Sequence, residues 1–145
     1  MTKLDILYNI LKGLHLNESY DGLLSYTSFI NEYRTFGATV PRGVGKTTFL
    51  YKKHLQESSL LFVQNYNVMN NFLGEISGVI PFSAISRVLQ NMRGRSTCGM
   101  KYSCFFIDEP QNMSIENKLQ LANLVYNLWC NGLLHKDFYI YTLGT

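Results

Sequence analysis

The 145-residue sequence predicts a three-layer α/β fold built on a mostly parallel sheet. Three observations carry that expectation. Short β-prone runs alternate with helical patterns along the whole chain. A glycine-containing loop stands between one such run and an apolar helical start. A later apolar run ends in two adjacent carboxylates. Strands alternating with helices imply right-handed crossovers, which place helices on both faces of the sheet.

The elements follow in order. Leu4, Leu7, Tyr8, Leu11 and Leu14 recur at helical spacing, with Gly13 near the end of the pattern. A second helix is expected from Ser25 to Arg34, with Phe29, Ile30 and Tyr33 inward. These two make residues 1–34 a helical segment ahead of a core at 35–145. Strands are expected at Thr35 to Val40, Ser59 to Gln64, Tyr102 to Ile107 and Phe138 to Thr142. Between them lie helical patterns at Lys46 to Gln56 and from Val68 to Met92. In the last helix Ser114 caps the start and Gly132 fits just past the end. Ile115, Leu119, Ala122, Tyr126 and Trp129 share one face. Leu121, Leu124, Val125 and Leu128 add more apolar surface, so burial on more than one side is expected.

Bulk composition narrows the class. With 46% hydrophobic and 16% charged residues, the chain reads as globular rather than disordered. No apolar run approaches the roughly 20 residues needed to span a bilayer, so no membrane is expected. Cys98, Cys104 and Cys130 form an odd set without metal-ligand spacing, which points to a reducing cytoplasm. His15, His54 and His135 also lack ligand spacing. Charge is uneven: from Arg34 to Lys101 there are nine basic residues against two acidic ones. Such a stretch suits phosphate, whether of a nucleotide or of a nucleic acid.

The loop Pro41-Arg42-Gly43-Val44-Gly45-Lys46-Thr47-Thr48 fits the phosphate side of that choice. Gly43 and Gly45 permit a tight turn in which successive N–H groups and a helix start face an anion. Lys46 has the reach for β- and γ-phosphates, and the Thr47 hydroxyl suits Mg²⁺. Val40 stands where the usual pattern has its first glycine.

Cys104-Phe105-Phe106-Ile107-Asp108-Glu109 supplies the partner motif. An apolar run ending in carboxylates suits a buried parallel strand whose tip enters a site. Asp108 would serve the Mg²⁺ shell, and Glu109 would orient and activate a water for attack on the γ-phosphate.

Taken together, these motifs resemble the ATPase domain of the large terminase subunit, the motor that packages viral DNA. Arg42, four residues before Lys46, matches the loop arginine of that family. Arg93-Gly94 resembles its arginine-glycine pair, and Phe105 to Glu109 its Walker B strand. Tyr141-Thr142-Leu143-Gly144-Thr145 resembles its coupling motif. The resemblance implies an additional-strand P-loop NTPase, with the strand after Walker B lying between the Walker A and Walker B strands. It implies ATP and Mg²⁺ as cofactors, Glu109, Arg42 and Lys46 as catalytic residues, and Thr142, Gly144 and Thr145 as a sensor. Arg93 and Arg95 would act on a neighbouring subunit's nucleotide or on DNA. Implied partners are double-stranded DNA, a portal, a small terminase subunit and further copies in a ring or a complementing fragment. The implied setting is the cytoplasm of an infected host cell.

Against that family the chain is expected to stop after the coupling motif, short of a further core strand beside the Walker A strand and of a nuclease domain. It has no glutamine before Gln56 to serve the adenine, for which Tyr26, Tyr33 and Arg34 are the substitutes considered. Two other readings stand beside this one. One is a different P-loop ATPase, of the helicase-loader or AAA+ type. The other is a nucleotide-binding or interaction fragment without turnover.

Overall fold

The computed structural model describes residues 2–17, 19–65, 78–92 and 101–145. Its centre is one sheet of five parallel strands. These are β1 (Thr35–Thr39), β2 (Ser59–Val63), β3 (Val79–Pro81), β4 (Tyr102–Asp108) and β5 (Leu134–Gly144). They lie in the order β1-β5-β4-β2-β3. The strand after the carboxylate pair thus runs between the strand before the loop and the strand that ends in the carboxylates, as expected. Register sets Thr39 beside Gly144 and Asp108 beside Leu143, so three strand tips emerge together.

Both faces of the sheet are covered, which explains why β2 and the second half of β4 are continuously buried rather than alternating. On one face lie α1 (Lys3–His15) and α3 (Lys46–Gln56). Their Leu4, Tyr8, Phe49 and Leu50 pack with Phe36, Phe106, Tyr139 and Tyr141 of the strands. On the other face lie α2 (Tyr26–Tyr33), α4 (Ile85–Met92) and α5 (Ile115–Cys130). There Ile30, Ile85, Leu124 and Leu128 meet Phe62, Phe105, Ile107 and Phe138. The fold is a three-layer α/β sandwich, and the first 34 residues give one helix to each outer layer.

Local signals set the helix ends. Thr2 and Asp5 form a reciprocal capping box at α1, and Ser114 and Asn117 form one at α5. Past α5, Gly132 takes φ 71°, and the Leu133 N–H donates to the Leu128 carbonyl at 2.8 Å. That closure is the left-handed stop that glycine favours.

Several expectations need correction. α5 is buried on one side only: Leu121, Leu124, Val125 and Leu128 face inward, while Ile115 is 79% exposed and Leu119 and Tyr126 are at least half exposed. An outer-layer helix meets the sheet along a single stripe, and on the outer face Trp129 stacks on Tyr26 of α2. Tyr33 is also exposed rather than inward. Within the stretch read as helical from Val68 to Met92, residues 79–84 form β3 and a short 3₁₀ turn before α4 begins. Residues 68–77 of that stretch lie outside the described ones. Finally β5 runs from Leu134, well before the expected Phe138.

Candidate functional site

The three strand tips and the start of α3 enclose a polar cleft of about 640 Å³. Its floor is the loop after β1. Gly43 (φ 83°) and Gly45 (φ 82°) both occupy the left-handed region, where a side chain would be strained. Gly45 is the residue that caps α3, and its carbonyl accepts from the Phe49 N–H at 2.9 Å. The first turn of α3 therefore points its N–H groups into the cleft, with the positive end of the helix dipole behind them.

Lys46 and Thr47 open α3 and turn toward the tip of β4. The Lys46 ammonium forms ion pairs with Asp108 and with Glu109, the latter at 2.7 Å. The Thr47 hydroxyl donates to the second Asp108 oxygen at 3.1 Å. Lys46 and Asp108 are both buried, at 8% and 3% exposure, which is tolerable only because each neutralises the other. Burial pulls the Lys46 pKa down, but hydrogen bonds and charge from Asp108 and Glu109 outweigh it and hold the amine above its ordinary value.

Glu109 is the only described non-glycine residue at positive φ, with φ 57° and ψ 60°. Pro110 follows it and starts a 3₁₀ turn, Pro110–Asn112, that folds the chain back over the tip. A residue held in this region stores strain, a feature that clusters at functional sites. The Glu109 carboxylate accepts from Lys46, from Gln111, and from both the hydroxyl (3.1 Å) and the N–H (3.3 Å) of Thr145. Desolvation raises its pKa, yet the donors Lys46, Gln111 and Thr145, with the Lys46 charge, win and keep it below the usual carboxylate value.

Most of the sequence-predicted residues meet here. Pro41, Arg42, Gly43, Gly45, Lys46, Thr47, Thr48, Glu109 and Thr145 line the cleft, and Asp108 lies just beneath it. Arg42 is exposed on the loop, and among the described residues no carboxylate pairs with it. Val44 lines a neighbouring groove instead. Thr142 and Gly144 border a shallow groove along β1, and Thr142 packs so closely on Gly37 that any Cβ there would overlap it. Of the proposed sensors, only Thr145 touches a carboxylate. Arg93 and Arg95 lie outside the described residues.

The adenine substitutes are engaged elsewhere. Tyr26 is stacked on Trp129, and Arg34 is buried with its guanidinium over the Phe29 ring and donating to the Phe138 carbonyl. Tyr33 does not line the cleft either. Residues that motif reading missed are Gln64, Gln111 and Asn112, all on the cleft wall, with Asn112 donating to Gln64 at 3.1 Å. The signal for Gln111 was its place two residues beyond Glu109, across a proline that enforces a turn.

The donor set suits Mg²⁺ and a triphosphate. Thr47 and Asp108 offer hard oxygen ligands within one hydrogen bond of each other, as a small divalent cation requires. The loop amides, Lys46 and Arg42 present only donors and positive charge to an anion. No family model, curated protein or solved structure matches this chain.

Proposed function

We propose that the chain binds ATP with Mg²⁺ and hydrolyses it, as the ATPase portion of a motor that moves double-stranded DNA in viral genome packaging. One observation carries the hydrolytic reading: a phosphate-type loop places Lys46 and Thr47 in direct contact with two carboxylates from a neighbouring strand tip. The motor assignment, with its portal, small subunit, ring of copies and cytoplasmic setting, rests on the resemblance of Arg42 and of Tyr141 to Thr145 to the terminase motifs.

In this reading the loop amides hold the β-phosphate, and Lys46 exchanges its carboxylate partners for phosphate oxygens. Mg²⁺, held by Thr47 and Asp108, would supply charge neutralisation at the phosphates. Glu109, released by Lys46, accepts a proton from water as that oxygen bonds to the γ-phosphorus. The bond from the γ-phosphorus to the bridging oxygen then breaks, and ADP departs with that oxygen. Arg42 stabilises the charge that develops on the transferred phosphoryl group.

Phosphate release from ATP, measured with the purified chain alone and then with duplex DNA, tests this directly. Hydrolysis that disappears in both Lys46→Ala and Glu109→Gln is the expected result. Equal turnover in wild type and both variants would refute the site. ATP binding without turnover under every condition would favour the interaction-fragment reading.

A further inference from the structure

Gln111 belongs to none of the motifs, yet its side chain sits at the centre of the rim. The turn begun by Pro110 brings its amide back onto Glu109, where Nε2 donates to the carboxylate. Its Oε1 lies over Gly144 of β5, where a Cβ would stand only 2.6 Å away. Gly144 is itself paired with Thr39 of β1, and its carbonyl accepts from the Val40 N–H at 2.8 Å. The bare Cα of Gly144 therefore makes the seat in which Gln111 rests, between the phosphate loop and the carboxylate.

A turn-stabilising role does not account for this placement. The turn already closes through its backbone, with Asn112 N–H donating to the Glu109 carbonyl at 3.0 Å and Met113 N–H to the Pro110 carbonyl at 3.1 Å. The side chain is left to act on Glu109 alone.

We propose that Gln111 is a positioning residue that, together with Thr145, orients the Glu109 carboxylate, and that Gly144 serves to seat it. The proposal rests on the reading of Glu109 as the base. When Lys46 leaves Glu109 for phosphate, Gln111 and Thr145 are the donors that still aim it. Both act from the β5 tip, one directly and one through the Gly144 seat, so a shift of that tip re-aims the base.

Two measurements test it. The first needs no nucleotide: the side-chain amide of Gln111, identified by its loss in Gln111→Ala, is followed in the ¹⁵N-labelled chain. Glu109→Ala and Gly144→Ala should each move that signal to the position of a solvated glutamine amide. A signal unmoved in either variant overturns the proposal, whatever the fate of the hydrolytic reading. The second is kinetic, on variants checked for unchanged melting. Gln111→Ala and Gly144→Ala should each lower kcat about tenfold while KM for ATP holds, and the double variant should fall no further than either single one. Wild-type kcat, a loss through KM alone, or losses that multiply in the double variant would overturn it. A wild-type chain that fails to bind ATP refutes the proposed function, and leaves the amide result to decide the contact.

Discussion

Within the sheet, Phe62, Phe105, Phe106 and Tyr141 are completely covered, and helices close both faces. At the strand tips of the same sheet, Lys46 and Asp108 are buried charges, Glu109 stands at positive φ, and Gly43 and Gly45 hold conformations that side chains avoid. The body is mostly apolar packing, while the rim gathers buried charge and left-handed backbone within a few residues. The contrast separates two burdens. The body supplies the stability that holds the rim in its strained and charged arrangement, and in the proposed function the rim uses it to keep an anion site ready. Substitutions in the body should therefore change stability and leave the chemistry of folded molecules alone. Substitutions in the rim should do the reverse.

The sharpest break should come from Lys46→Ala, which removes the ammonium that lines the cleft and pairs with both carboxylates. ATP binding, followed by fluorescence of a labelled nucleotide, should be lost. Glu109→Gln should reduce turnover by roughly 10²-fold or more while binding persists, with unfolding free energy changed by less than about 1 kcal/mol. A large stability loss in Glu109→Gln would erase the distinction between rim and body. In the body, Leu124→Ala empties a fully buried site between α5 and the sheet. It should cost about 3 kcal/mol in urea unfolding, with KM for ATP unchanged in the folded fraction. Tyr139→Phe is milder. It leaves the buried Tyr8 hydroxyl without the Tyr139 oxygen it now bonds, at a cost of about 1 kcal/mol.

The smallest effect concerns pH. Asp5 is half-buried, and its hydrogen bonds from the Thr2 hydroxyl and N–H, aided by Lys53, lower its pKa from 3.8 to about 2. A depressed folded pKa stabilises above the unfolded value and loses that contribution as pH falls through the folded one. The melting-temperature advantage of wild type over Asp5→Asn should thus be constant near neutrality and shrink between pH 3.8 and about 2. An advantage that grows on acidification would contradict the cap.

Much of the body was legible because its residues answer to local rules. The apolar runs of β2 and β4, the capping serine and terminal glycine of α5, and the span of α3 all read directly from residue type and spacing. What misled was sidedness. Ile115, Leu119 and Tyr126 repeat at helical intervals as faithfully as Leu121, Leu124 and Leu128 do, and periodicity alone does not say which stripe meets the sheet. β3 escaped notice because Val79–Pro81 is too short to show a period and borrows its pairing from β2. At the site, the charged residues were visible because loop and carboxylates form recognisable patterns. Gln111 was not, since its role depends on a proline turn and on the missing side chain of a glycine 33 positions later in the chain. Tyr26 and Arg34, which looked available for an adenine in sequence, are committed to packing for a related reason, Tyr26 on Trp129 of α5 and Arg34 on Phe29 of α2.

The stacked pair of Trp129 and Tyr26 has a practical use. Trp129 is the single tryptophan of the chain, and its ring lies parallel to Tyr26 with centroids 4.4 Å apart. Its emission reports whether α2 is docked on α5, on the outer layer and away from the phosphate loop. Intrinsic fluorescence of the unmodified protein thus gives an optical record of the body alone. Paired with a labelled nucleotide at the rim, it allows both halves of the molecule to be watched separately in one cuvette.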